Sequence, residues 1–258
     1  MNIVAIIQAR SSSSRLPGKV LMPILGKAMI LRQLERIQLA QNISSLIVAT
    51  SIESSDDELV AVLEKEGIGC YRGSLDDVLD RYYEAAKLNL AEHIIRLTGD
   101  CPLIDPDIID QVISTHLRDG NDYTSNTLAP TFPDGLDVEV IKFETLQDTC
   151  QQAGLPSERE HVTPYILKHP EMYKLGNVSN CKDLSALRWT VDEPEDFELI
   201  ATIYNKLYPL NPQFAIADIL EFLENNPELK KKNQHIEYNE GMKKSLQADR
   251  DFLQKTNS

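Results

Sequence analysis

Residues 2–21 read NIVAIIQARSSSSRLPGKVL: an apolar run without helical spacing, then four serines between two arginines, closed by Leu-Pro-Gly-Lys. Residues 2–9 read as a buried parallel strand, because strands covered on both faces are near-continuous apolar runs. The loop that follows has two readings. Its composition alone describes a solvated serine linker. Its position after a buried strand describes a phosphate cradle, with Arg10, Arg15 and Lys19 as cations, hydroxyls and backbone N–H groups as donors, and Gly18 allowing close backbone approach. It is not a Walker A loop, since Val20 follows Gly18-Lys19 and no glycine lies five residues before Gly18. The G-x-G-x-x-G of a dinucleotide site is absent as well.

Outward from this stretch the pattern repeats. Residues 29–40 carry apolar side chains at helical spacing, and 45–50 read as a second buried strand. A helix over 54–67, a strand over 70–73, a helix over 75–89 and a strand over 93–100 follow. Residues 105–120 read as a helix with Asp105 as N-cap, Pro106 in the first position and Gly120 past the end. Four strand–helix alternations predict an α/β fold: a mostly parallel central sheet with right-handed crossovers and helices on both faces. Ligands of such sheets bind beyond the carboxyl ends of the strands, where loops 10–19 and 98–104 both lie.

The second half is less regular. Strands are expected at 122–126 and 136–141 around a Pro/Gly loop, helices at 142–152 and 158–168, and strands near 172–178 and 186–191. Helices at 193–208 and 215–226 complete a single domain over 1–226, and the polar, lysine-rich 227–258 reads as a peripheral arm.

A net charge of −14 disfavours nucleic acid and anionic membrane as partners, which both draw on basic patches. It leaves room for an anionic small molecule held by a locally basic loop. No apolar run approaches the roughly 20 residues that span a bilayer, and the first residues read as a strand and not a signal peptide. Four scattered cysteines with no C-x-x-C pair argue against a disulfide framework and a zinc site, so a reducing cytoplasm is expected.

Several acids invite two readings each. Asp100, in TGDCPLID (98–105), is either a turn residue or a strand-end carboxylate suited to Mg²⁺ against substrate phosphates. Asp105 and Asp107 match the Asp-x-Asp of nucleotide-sugar glycosyltransferases, although a helix start explains both. Asp192, in LRWTVDEPEDF (187–197), either favours the dipole of the next helix or shares a metal with Asp100. SEREHVTPYI (157–166) gathers Arg159, Glu160 and His161 without a patterned nucleophile, which suits a structural or substrate-orienting role. PTFPDGLDVEV (130–140) reads as a mobile loop and strand facing a ligand, and Cys101 as packing.

Taken together, these segments resemble the sugar cytidylyltransferases, which activate 3-deoxy-2-keto sugar acids with CTP. Residues 9–30 look like the signature loop of the 3-deoxy-manno-octulosonate and acylneuraminate enzymes. RGSLDDVLDRYY (72–83), RLTGDCPLID (96–105), TFPDGLDVEV (131–140), EREHVTPYI (158–166) and LRWTVDEPEDF look like the branch named for spore coat polysaccharide biosynthesis protein F. The resemblance implies a Rossmann-like, GT-A-like nucleotidyltransferase fold with a dimerisation and sugar-side element over roughly 127–185, and a homodimer. It implies that Arg10, Ser14, Arg15, Gly18 and Lys19 hold the CTP phosphates, with Lys19, Arg10, Arg15 and Asp100 catalytic. Ala9, Gly73, Ser74 and Arg81 would lie near the nucleoside, and Asp100 and Asp192 would hold Mg²⁺. Asp134, Asp137, Glu139, Arg159 and His161 would face the sugar. One departure concerns the base: the octulosonate enzymes carry an arginine where Asp76 and Asp77 stand here, and Arg81 comes a turn later. The implied reaction is CMP transfer from CTP to a sugar acid with release of pyrophosphate, for polysaccharide biosynthesis. A nucleotide-sugar glycosyltransferase and a non-catalytic nucleotide-binding homologue are the alternatives.

Overall fold

The computed structural model describes residues 1–236 and 240–256. Its strands in chain order are β1 (Ile3–Gln8), β2 (Pro23–Ile24), β3 (Lys27–Ala28), β4 (Ser45–Ser51), β5 (Gly69–Gly73), β6 (His93–Thr98), β7 (Tyr123–Ser125), β8 (Glu139–Lys142) and β9 (Leu175–Asn177). The helices are α1 (Met29–Ile37), α2 (Asp57–Lys65), α3 (Val78–Leu88), α4 (Pro106–Asp119), α5 (Phe143–Gln152), α6 (Pro156–His161), α7 (Pro164–Lys168), α8 (Pro194–Leu207), α9 (Ile216–Glu224), α10 (Pro227–Lys230) and α11 (Glu240–Thr256).

Seven strands form one sheet in the order β5-β4-β1-β6-β8-β7-β9, and β2 and β3 make a separate small hairpin. Only β8 runs against its neighbours; the other six are parallel to one another. The chain leaves β1 towards β4 and β5, then returns to β6 on the other side of β1. The strand order therefore reverses between β1 and β6, and a crevice opens beyond their carboxyl ends. The serine loop leaves β1 at that crevice, and the Asp100 loop leaves β6 there.

Side chains of β1 alternate between two cores. Ile3, Ala5 and Ile7 pack with residues of α1, α4, α8 and α9. Val4 and Ile6 pack with α3, α5 and α7 on the other face. A strand buried on both sides must be apolar throughout, which is why 2–9 shows no polar alternation. Helix α4 starts on Asp105, whose side chain accepts from Asp107 N–H, and stops at Gly120 with φ 62°. No helix among the described residues is long and apolar enough to cross a membrane.

Three expectations differ from the structure. Residues 186–191 form no strand; a single bridge joins Arg188 to Asp134. Their backbone instead bonds to two loops, with Trp189 N–H donating to the Asp134 carbonyl and Val191 N–H to that of Asp100. Gly135, with φ 101°, permits this approach, since a Cβ there would lie 2.5 Å from the backbone of Trp189 and Thr190. The helix expected over 158–168 is two short ones. Val162 turns out of α6 with φ 72°, and Pro164 begins α7, where a proline lacks no bond a helix would use. Strand β8 starts at Glu139 and not 136, because Asn126 captures the Leu136 carbonyl and the Val138 N–H.

The stretch read as a peripheral arm folds back on the body. Asp249 of α11 accepts from the backbone N–H of Ser157 at 2.8 Å and from its hydroxyl at 2.6 Å. Residues 237–239 and 257–258 of that arm lie outside the described residues.

Candidate active site

A cavity of about 560 Å³ opens at the crevice between β1 and β6. The serine loop forms one side and is fastened from below. Ser11 N–H donates to Asp56 Oδ1 at 2.7 Å, and Gly18 N–H and Ser13 N–H both donate to the Ser11 carbonyl. Asp56 is wholly buried and also accepts from Thr50 and Ser51. Burial pushes its carboxyl up, but these bonds outweigh it and hold the pKa below the ordinary value. Gly18, at φ 72°, lies outside the cavity lining and turns the chain so that Lys19 points inward.

Lys19 joins three segments. Its Nζ lies 3.1 Å from Asp100 Oδ2, 3.0 Å from Asp192 Oδ1 and 2.7 Å from the Val191 carbonyl, which uses all three ammonium donors. Burial disfavours its charge, yet the two aspartates raise its pKa. Burial likewise opposes ionisation of Asp100, but Lys19 holds that carboxyl well below the usual range. Arg15 pairs with the same Asp192 oxygen at 2.7 Å. Two carboxylates and no soft ligand form a donor set that fits a hard divalent cation such as Mg²⁺. Among the described residues no group of three or more His, Cys, Asp or Glu could cage a metal, so a cation here would need substrate oxygens to complete its shell.

Arg188 organises the opposite side. It bonds Asp134 at 3.0 Å, Asp192 at 2.9 Å and Asp196 at 3.0 Å. Asp196 in turn accepts from the N–H groups of Asp192 and Glu193, which fixes the start of α8 and the aim of Asp192. Burial raises Asp134 to about 6 and Asp137 to about 8, with neighbouring carboxylates adding to the rise. Burial also pushes the Cys101 thiol well above its ordinary value, which leaves it protonated and unsuited to nucleophilic attack.

The cavity brings together Ala9, Arg10, Ser14, Arg15, Lys19, Arg81, Asp100, Asp134, Asp137, His161 and Asp192. It does not bring in Gly73, Ser74, Glu139 or Arg159. Gly73 lies above Arg81, where a Cβ would meet the Arg81 side chain at 2.7 Å, and Ser74 is exposed in the loop before α3. Glu139 is turned away as the partner of Arg96, Tyr123 and Thr163. Arg159 holds Asp77 and the Cys150 carbonyl, so it tethers α6 to the start of α3. Arg81 is 2% exposed, and its Nε and one terminal nitrogen have no hydrogen-bond partner among the described residues. A buried guanidinium with open donors is costly unless something accepts from it.

Sequence reasoning passed over Arg96, Arg188 and Ser245, all of which line the cavity. The first two carried a signal: each is a charged residue inside an otherwise apolar, strand-like run. Ser245 carried none.

The arrangement can neutralise a polyphosphate from one side and present acids from the other. Comparison with known proteins points the same way. A family model described as cytidylyltransferase matches residues 4–245. Spore coat polysaccharide biosynthesis protein SpsF of Bacillus subtilis is 35% identical over 234 residues, which is 88% of this chain and 96% of that protein. Uncharacterized protein MJ1063 of Methanocaldococcus jannaschii is 34% identical over 240 residues, covering 92% and 96%. Among solved structures, a cytidylyltransferase from Leptospira borgpetersenii superposes with a TM-score of 0.86 at 34% identity, covering 92% of this chain and all of that one.

Proposed function

The chain belongs to the cytidylyltransferase family, and from that premise we propose that it transfers CMP from CTP to a sugar acid and releases pyrophosphate. The observation that carries the reading is the convergence of Lys19, Asp100 and Asp192 under the serine loop at the point where the strand order reverses. In the reaction a hydroxyl of the acceptor attacks the α-phosphorus, the bond from that phosphorus to the α–β bridging oxygen breaks, and the hydroxyl proton is released to solvent. Negative charge grows on the leaving pyrophosphate and on the equatorial oxygens, so fixed cations lower the barrier most.

Arg10, Arg15 and Lys19 neutralise the triphosphate, while Ser14 and the loop N–H groups bind its oxygens. Ala9 and Arg81 line the nucleoside end, with Gly73 leaving room for the Arg81 side chain. Asp100 and Asp192 would hold a divalent cation, which supplies electrostatic stabilisation of the phosphates when bound. Asp134, Asp137 and His161 face the acceptor. Names of relatives support a sugar acid of the octulosonate type: an 8-amino-3,8-dideoxy-manno-octulosonate cytidylyltransferase of Shewanella is 37% identical over 144 residues, 54% of this chain and 57% of that protein. The SpsF likeness supports a role in cell-surface or spore-coat polysaccharide synthesis, and a cytoplasmic location is a further part of the proposal. A homodimer is part of the same reading, and Leu128, Leu167 and Met172 offer exposed apolar surface in the 127–185 element.

The glycosyltransferase alternative has no support at its own residues. Asp105 is 2% exposed and is spent on the N–H groups of Asp107 and Ile216. A panel of nucleoside triphosphates and sugar acids, read out by pyrophosphate release, tests the assignment. Release that needs both CTP and a sugar acid supports it; binding of CTP without release under every acceptor overturns it.

A further inference from the structure

Helix α11 reaches the cavity. Ser245 lines it at 7% exposure, and its Oγ stands 2.9 Å from His161 Nε2 and 3.5 Å from Glu160 Oε2. Glu160 in turn faces Arg10 of the serine loop at 3.7 Å. One helical turn beyond Ser245, buried Asp249 takes both donors of Ser157 at the start of α6. Residues four apart share one helix face. That face therefore does two things at once: Asp249 locks α11 to α6, and Ser245 completes the polar rim that α6 ends in.

We propose that α11 is one wall of the acceptor side of the cavity, and that Glu160, His161 and Ser245 together bind an uncharged polar group of the acceptor, a hydroxyl or an amide remote from the reacting one. The proposal rests on the CMP-transfer reading above. The chemistry of the three side chains selects the group. Ser245 offers both a donor and an acceptor. Burial holds His161 below its ordinary value, so at neutral pH it is a neutral ring with one donor and one acceptor. An anionic group would meet Glu160 and a cationic one would meet Arg10, whereas a hydroxyl or amide is opposed by neither. Through the Glu160–Arg10 pair the same cluster touches the triphosphate loop, so filling the acceptor side steadies the loop that holds CTP.

The test uses the full chain with 3-deoxy-manno-octulosonate and an acylneuraminate as probes. Ser245→Ala leaves the Asp249 anchor in place, and loss of one bond to a neutral group is expected to raise the acceptor KM roughly tenfold. The CTP dissociation constant, measured by calorimetry, and kcat should stay within about twofold, and Ser245→Thr should restore the acceptor KM. An unchanged acceptor KM, or a parallel loss of CTP binding, overturns the wall. A readout without turnover separates this from failure of the transfer reading. In Ser245→Cys, alkylation of the introduced thiol by iodoacetamide is followed by peptide mass spectrometry at saturating magnesium-CTP. Protection by either sugar acid supports the wall even where no pyrophosphate is released; absence of protection by both overturns it.

Discussion

Ser11 donates its backbone N–H to Asp56 at 2.7 Å, so the serine loop hangs from a carboxylate in the following crossover. The serine run is anchored most firmly at its root: Asp56 and the Ser11 carbonyl fix where the loop begins and closes, and Ser13 adds a turn of its own by accepting from Leu16 N–H.

Replacing Asp56 by Ala strands four donors, from Ser11, Thr50 and the backbone and hydroxyl of Ser51. A cost of about 3 kcal/mol is expected from losing bonds to a buried charged acceptor. Because the folded pKa lies below the unfolded one, the carboxylate's contribution is present above about pH 4 and is lost as pH falls through the folded value. Denaturant melts of Asp56→Ala at pH 7 should show the deficit together with weaker CTP binding. A change below about 0.5 kcal/mol would mean the loop is held elsewhere.

Lys19 lies between Asp100 and Asp192, and Asp192 also pairs with Arg15 and Arg188. Lys19→Met keeps the length of the chain and removes the charge, and breaking a buried ion pair of this kind costs about 3 kcal/mol. Turnover should fall by roughly 10² to 10³, the scale of losing one electrostatic stabiliser. A second readout is specific to the geometry: the thermal midpoint of Lys19→Met should rise on adding Mg²⁺ by more than that of the unmutated chain, since the cation replaces the ammonium between Asp100 and Asp192. Equal responses of the two proteins count against a shared cation position.

Arg81 gives a prediction of opposite signs. Its guanidinium is buried with open donors, and burial lowers its pKa. Arg81→Met should leave stability unchanged or improve it by about 1 kcal/mol, because an unsatisfied buried group is removed. The same change should weaken CTP binding by roughly tenfold, the loss of one charged hydrogen bond. Calorimetry with CTP and a urea melt on one preparation check both halves. Loss of stability with intact CTP binding would make Arg81 a packing residue.

Much of the parallel half of this fold was legible from residue order, for physical reasons that can be named. The apolar run of β1 has to be continuous because both of its faces are covered, and Asp105, Pro106 and Gly120 mark α4 by local backbone chemistry alone. The misreading of 186–191 has a different cause. LRWTV alternates like a strand, but its hydrogen bonds go to the turns at Asp134 and Asp100, partners that no local pattern specifies. Lys19, Asp100 and Asp192 were legible because each stands at a strand end or in a loop. Arg159 drew notice as a cation in a charged cluster, yet tertiary contact commits it to Asp77. Ser245 is a plain serine in a polar helix, and only the docking of α11 on α6 brings it to the cavity.

Asp137 contributes to the pH dependence of the cavity, beside the likewise raised Asp134. Burial, then the nearby carboxylates of Asp134, Glu139 and Asp100, raise its pKa to about 8, against an ordinary value near 4 in the unfolded chain. The folded state thus binds the proton more tightly than the unfolded state across that interval. Stability falls as pH rises from about 4 to about 8 on account of this group, and flattens above it. Asp137→Asn mimics the protonated form, so it should be more stable than the unmutated chain at pH 8 and nearly equal to it at pH 4. Urea midpoints at those two values measure the difference directly. His116 contributes the opposite slope at lower pH: burial and the His93 ring 3.0 Å away depress it to about 4, so its protonation destabilises the fold as pH falls below about 6.5. The unmutated chain should therefore be most stable between these limits, and Asp137→Asn should reduce the loss on the alkaline side while leaving the acid side unchanged. A stability profile of Asp137→Asn that runs parallel to the unmutated one from pH 5 to pH 8 would place the titrating carboxylate elsewhere.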